Sequence, residues 1–123
     1  MSFSNFLEQE LLDHAFGKSS YTAPSNHYVQ LHTGAPGENG TSNVASENTR
    51  QAVDFTPGSN PIVNTAAITW SNVAATETYS HFSIWDASTN GNCLAVGQFT
   101  SPVAVTAGDN FTIDSGDLTI ALD

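Results

Sequence analysis

Residues 78–99, TYSHFSIWDASTNGNCLAVGQF, decide the fold. Phe82 and Ile84 alternate with Ser83 and Trp85, the polar run from Asp86 to Asn92 breaks the alternation, and Leu94 and Val96 resume it. Two alternating runs joined by a short Asn- and Gly-containing segment are the signature of a β-hairpin. Successive strand side chains point to opposite faces, so Phe82 and Ile84 are expected toward the core and Trp85 away from it. The hairpin carries Trp85, one of the two tryptophans of the C-terminal half, and is taken as the centre of the sheet.

The same alternation recurs on both sides of the hairpin. His27–His32 (HYVQLH) puts Val29 and Leu31 inward; Arg50–Phe55 puts Gln51, Val53 and Phe55 on one side; Ala66, Ile68 and Trp70 form another strand. Beyond the hairpin come Val103–Val105, then Phe111 with Ile113, then Leu118, Ile120 and Leu122, separated by turns at 107–109 and 115–116. About eight strands at this spacing predict an all-β fold, an antiparallel β-sandwich or barrel-like domain. The last strand is expected to hold Asp123 in the sheet. Residues 33–49, TGAPGENGTSNVASENT, contain too much glycine, proline and asparagine for regular structure, and a loop of this length is expected to be functional or mobile.

Residues 1–17 read as an N-terminal amphipathic helix, and 18–123 as a single β-sandwich domain. Asn5 with Glu8 can make a capping box, with Ser4 as an alternative cap, and Phe3, Phe6, Leu7, Leu11 and Ala15 recur at helical spacing. Gly17 is expected to take the left-handed position at the helix end, with Lys18 favourable beside the negative pole of the dipole. The apolar stripe either covers one end of its own core or docks on a neighbouring subunit.

A chain of 123 residues is long enough for one core. Hydrophobic residues make up 39% and charged residues 11%, so much of the surface is neutral and polar. Lys18 and Arg50 face twelve acidic residues, a net charge of −10, which excludes nucleic-acid binding because too few cations are present to displace counterions from phosphates. One cysteine, Cys93, makes an intramolecular disulfide impossible and reads as a small strand side chain. No basic, apolar leader and no membrane-length apolar run is visible, so synthesis in a host cytoplasm and no membrane partner are expected.

Chemistry finds no anchor. His14, His27, His32 and His81 do not share metal-ligand spacing, and His27 and His32 project to opposite faces of one strand. The run from Asp86 begins like a calcium loop, yet Gly97 stands at the twelfth position, where such a loop needs a bidentate Glu. Asp109, Asp114 and Asp117 suit turn caps. There is no glycine-elbow serine, no phosphate loop and no dinucleotide fingerprint, so no catalytic residue, no metal and no cofactor is assigned.

Four segments kept in order carry a resemblance: FLEQELLDHAFGKSSYTAPSNHYVQLHTGAPGENGT (6–41), TRQAVDF (49–55), NTAAITW (64–70), and SHFSIWDASTNGNCLAVGQF (80–99) with AVTAGDNFTIDSGDLTIALD (104–123). Together the chain resembles a widespread family of small tailed-bacteriophage virion structural proteins, whose pattern runs from an opening helix through YVALHTGDPG-, ARQAV- and THFGLWDA-type strands to a terminal AGD strand pair. Gln30, Thr49 and Ser83 depart from that pattern without changing strand polarity.

The resemblance implies a non-enzymatic virion component. The favoured expectation is a head decoration, or cement, protein that binds the outer capsid surface, with the major capsid protein and itself as partners in a homo-oligomer such as a trimer. Contacts are then expected from Phe3, Phe6, Leu7 and Leu11, from Glu38, Asn39, Asn43 and Val44 in the long loop, and from Trp85. The alternative is a tail, baseplate or tail-fibre component acting in host adsorption. Trp85 is the discriminating residue: exposed, with Tyr79, it would suit a sugar platform on a fibre; buried between subunits, it would suit cement. A small hydrolase is the third reading and has no visible constellation.

Overall fold

The computed structural model describes residues 1–122. Among the described residues nine strands and one helix follow each other as β1 (Ser2–Phe3), α1 (Asn5–Ala15), β2 (His27–His32), β3 (Gln51–Val53), β4 (Ile62–Val63), β5 (Ile68–Trp70), β6 (Glu77–Trp85), β7 (Cys93–Val105), β8 (Phe111–Ile113) and β9 (Thr119–Ile120). The main sheet has the order β1-β7-β6-β2-β3, and β4-β9 and β5-β8 form two-stranded sheets, all pairings antiparallel. The expected all-β, sandwich-like class with one N-terminal helix is therefore the observed one, and β6 lies at the middle of the main sheet.

The hairpin closes as its residues dictate. Asn90 and Gly91 take left-handed φ values of 54° and 74°, and the Asp86 carboxylate accepts hydrogen bonds from the Asn92 N–H (2.7 Å) and side-chain amide (3.1 Å). These oxygens cap a turn, as Asp109 does when it accepts from the Thr106 N–H at 2.8 Å. Among the described residues no three His, Cys, Asp or Glu side chains are grouped to hold a metal.

Val29, Leu31, Phe82, Ile84 and Ala95 from the main sheet pack against Ile68, Trp70, Phe111 and Ile113 of β5-β8 in one buried cluster. Phe111 is its hub, with ring centres 5.7 Å from Trp70, 5.1 Å from Tyr79 and 5.9 Å from Phe99. Gly97 stands opposite Phe82 in register, and the Phe82 ring occupies the space a side chain would need there. Asn64, 1% exposed, ties the smaller sheets together by donating to the Ala66 and Asp114 carbonyls and accepting from the Leu118 N–H.

Several local expectations are corrected. The helix does not begin at residue 1: Ser2 and Phe3 pair with Val96 and Ala95 of β7. Ser4, not Asn5, is the N-cap, accepting from the Leu7 N–H at 3.1 Å. The left-handed residue after the helix is Lys18 (φ 60°) rather than Gly17. Val103–Val105 is the end of the single strand β7, which runs through Pro102. That proline is tolerated because β1 covers only Ala95 and Val96, which leaves the outer edge of β7 beyond them without a strand partner. The closing strand is short, Leu122 is 59% exposed, and Asp123 lies outside the described residues.

Candidate functional site

Three surfaces bear the side chains expected to meet partners: the face of the main sheet under the long loop, the loop itself, and the N-terminal helix with the groove beside it.

Strand alternation puts Gln30, His32, Ser83 and Trp85 on the face opposite the core, yet all four are buried. Residues 33–49 cover them. Instead of being free, the loop is pinned by backbone and carboxylate bonds: Thr33 N–H to Asn43 O (2.9 Å), Ser42 N–H to Pro36 O (2.9 Å), Ala45 N–H to Leu31 O (3.0 Å), and the Ser46 and Glu47 N–H groups to the Glu77 carboxylate (2.9 and 3.0 Å). Gly40 enters at φ 70° so close to β6 and β7 that an added Cβ would lie 2.6 Å from Cys93 Sγ.

Under this cover runs a polar chain. His32 Nδ1 lies 2.8 Å from the Ser42 carbonyl, which can only accept, so Nδ1 carries the proton. Its Nε2, 2.7 Å from Ser83 Oγ, therefore accepts the hydroxyl proton, and Ser83 Oγ in turn accepts from Trp85 Nε1 at 2.7 Å. Burial lowers the His32 pKa from its usual value, which fits a neutral ring. His32 and Ser83 are 0% exposed, and their mutual hydrogen bond satisfies two buried polar groups.

Arg50 closes the other side of Trp85. Its guanidinium stands 3.8 Å from the ring centre and donates to Gln30 Oε1 (3.2 Å) and, through Nη1, to the Ala87 and Asn90 carbonyls (2.8 and 2.7 Å). Trp85, 6% exposed, is thus buried inside its own chain, with one ring face taken by Arg50 and Gly40 against its edge. Within one chain its ring presents little surface to solvent, so it is not displayed as an exposed aromatic platform. Tyr79 is 0% exposed, and burial with the nearby Glu77 and Glu47 charges pushes its hydroxyl up to about 12.

The loop residues Glu38, Asn39, Asn43 and Val44 do reach solvent. Asn43, at φ 53°, spends its side-chain amide on the Ala35 carbonyl (2.9 Å), while Val44 bridges His32 and stays 39% exposed.

The helix residues divide by face. Phe6, Leu7 and Leu11 are half-buried, with Phe6 edge-on to Tyr21 at 6.4 Å. Phe3 belongs to β1 and packs on the core. Leu12 is 56% exposed and Phe16 81% exposed. These two lie one turn apart, a spacing visible in the sequence but outside the stripe that the sequence reading chose. Beside the helix opens an apolar groove of about 490 Å³ lined by Phe3, Leu7, Phe55, Ile62, Leu94 and Ile120, with His27 and Asp54 also in its wall. Nothing local in the sequence marks it, because its walls come from the helix, from six strands (β1, β2, β4, β6, β7 and β9) and from the segment that follows β3.

The comparison with protein families matches residues 2–121 to the family described as Podophage GP4 fiber I protein gp80. The chain belongs to this family. It is a structural protein of tailed-phage virions, in agreement with the resemblance found in its sequence. The comparison with curated proteins finds no match. Within the fibre-protein family the helix, the loop-covered face and the groove all fall inside the matched span.

Proposed function

We propose that this protein is a fibre component of the tailed-phage particle, carried on the tail side and acting in host adsorption, with no catalytic role of its own. The observation that carries the proposal is the match over residues 2–121 to a family described as a fibre protein, which supports the alternative over the head-decoration reading favoured from sequence. The seclusion of Trp85 removes the discriminator that sequence offered between the two, since the indole is buried within one chain.

The remaining properties follow from the same surfaces. Two basic residues, one of them committed to Trp85, leave no surface for phosphates, so nucleic acid is not a partner. Among the described residues no helix is long and apolar enough to cross a membrane. The exposed Leu12 and Phe16 support self-association into a homo-oligomer. Immunogold electron microscopy of purified virions with antibody to this protein tests the placement: label on tail appendages is expected. Label over the whole head would overturn it and make the major capsid protein the partner.

A further inference from the structure

The most exposed aromatic side chain, Phe16, and the most exposed helical leucine, Leu12, sit beside Lys18, which is itself exposed. Arg50, the other cation, is held over Trp85. The groove beside the helix has the complementary character: an apolar floor with the exposed carboxylate of Asp54 in its wall. A second groove of about 250 Å³ extends it, sharing Phe3, Ile62 and Ile120. Its best occupant is an apolar side chain next to a positive charge, and in a chain of net charge −10 that combination is scarce.

The helix cannot place Phe16 in its own groove. Leu7 lines the groove, and Phe16 follows about two and a half turns later, on the opposite side of the helix axis. We propose that the occupant is a second copy of this chain: Leu12 and Phe16 of one protomer enter the groove of the next, with Lys18 beside the neighbour's Asp54. Knob and groove are different surfaces, so the contact is heterologous and repeats head-to-tail into a ring or a filament rather than stopping at a two-fold dimer. This deepens the self-association proposed above and is independent of where on the particle the protein sits. Its failure leaves the labelling experiment decisive for placement.

Sedimentation equilibrium at physiological ionic strength, with circular dichroism to confirm folding, tests the contact. The unaltered protein is expected to form assemblies larger than dimers. Phe16→Ser and Asp54→Lys, both at exposed positions, are each expected to weaken association at least tenfold. Mixed together they are expected to form a dimer and stop, because one keeps its groove and the other its knob. The double variant K18D with D54K is expected to regain assembly. A monomeric unaltered protein at millimolar concentration, variants that assemble as before, or a mixture that stays monomeric would each overturn the proposal.

Discussion

The guanidinium of Arg50 lies 3.8 Å from the centre of the Trp85 ring, and this contact joins β3's N-terminal end to the central hairpin. The stack orients three N–H donations, to Gln30 and to the carbonyls of Ala87 and Asn90 in the hairpin turn. The chain's single arginine therefore holds the turn from beneath. This explains why the sheet can bury a second, polar face without leaving the indole open.

Arg50→Ala is expected to cost about 2–3 kcal/mol, the sum of one cation–π contact and partly exposed charged hydrogen bonds. Arg50→Lys is expected to recover less than half, because an ammonium cannot stack flat on the ring and reach two carbonyls at once. Urea unfolding followed by tryptophan fluorescence reads both values. Equal midpoints for Lys and Arg would show that only the charge matters.

Gly40→Ala puts a methyl group 2.6 Å from Cys93 Sγ and 3.1 Å from the Trp85 ring, at a backbone φ of 70°. Overpacking and left-handed strain together predict a loss of about 2–4 kcal/mol. Adding Cys93→Ala removes the sulfur and should return part of that loss, leaving the φ penalty. A double-mutant cycle on denaturant midpoints measures the coupling, and strict additivity would mean that the loop moves away from β7 at no cost.

His32 gives the protein an acid limb. Its folded pKa lies below the ordinary 6.5 because burial disfavours the charged ring, so the unfolded chain binds more protons. The contribution of neutral His32 is complete above pH 6.5, falls as pH drops below it, and levels off once the folded-state value is passed. His32→Gln should lower stability at pH 8 and flatten the slope between neutrality and mild acid. An unchanged slope in urea titrations of this variant would assign the acid limb to other groups.

Cys93 is expected to resist thiol reagents in the native state. Burial pushes its pKa up to about 11, so almost no thiolate exists at neutral pH, and the side chain is 5% exposed. Labelling should follow global unfolding, rising with urea along the same transition as tryptophan fluorescence. Rapid modification in buffer alone would reveal that the loop around Gly40 opens locally.

Strand positions were legible because burial on one face leaves a period of two: Val29 with Leu31, Ile68 with Trp70 and Phe111 with Ile113 all point inward as alternation requires. The second face was not legible. Gln30, His32 and Ser83 are the residues a solvent-facing strand would show, and only the packing of residues 33–49, built from glycine turns and backbone bonds, turns that face into an interior. Alternation reports which side a residue faces, and the cover above it is a tertiary property. Trp85 is covered within its own chain for this reason. The groove stayed hidden because β1, β2, β4, β6, β7 and β9 contribute to it from opposite ends of the chain.

Residues 1–16 contribute to the main sheet as well as offering an exposed helix face. Read as a helix from its first residue, residues 1–16 look detachable, and their deletion should leave an intact β domain that no longer assembles. Yet Ser2 and Phe3 add a strand to β7, Ser4 N–H donates to the Leu94 carbonyl at 2.8 Å, Ser4 Oγ donates to the Cys93 carbonyl, and Phe3 packs on the core. In contrast, α1 has no fully buried residue. Deletion of residues 1–16 is therefore expected to lower stability by about 3–5 kcal/mol, from lost backbone hydrogen bonds and the apolar surface uncovered beneath Phe3 and Leu7. Phe3→Ala should reproduce about half of that loss, whereas Leu12→Ser on the exposed face should change stability little while weakening association. If the truncated protein unfolds at the same urea concentration as the full chain, residues 2–4 contribute nothing to the sheet and the segment serves assembly alone.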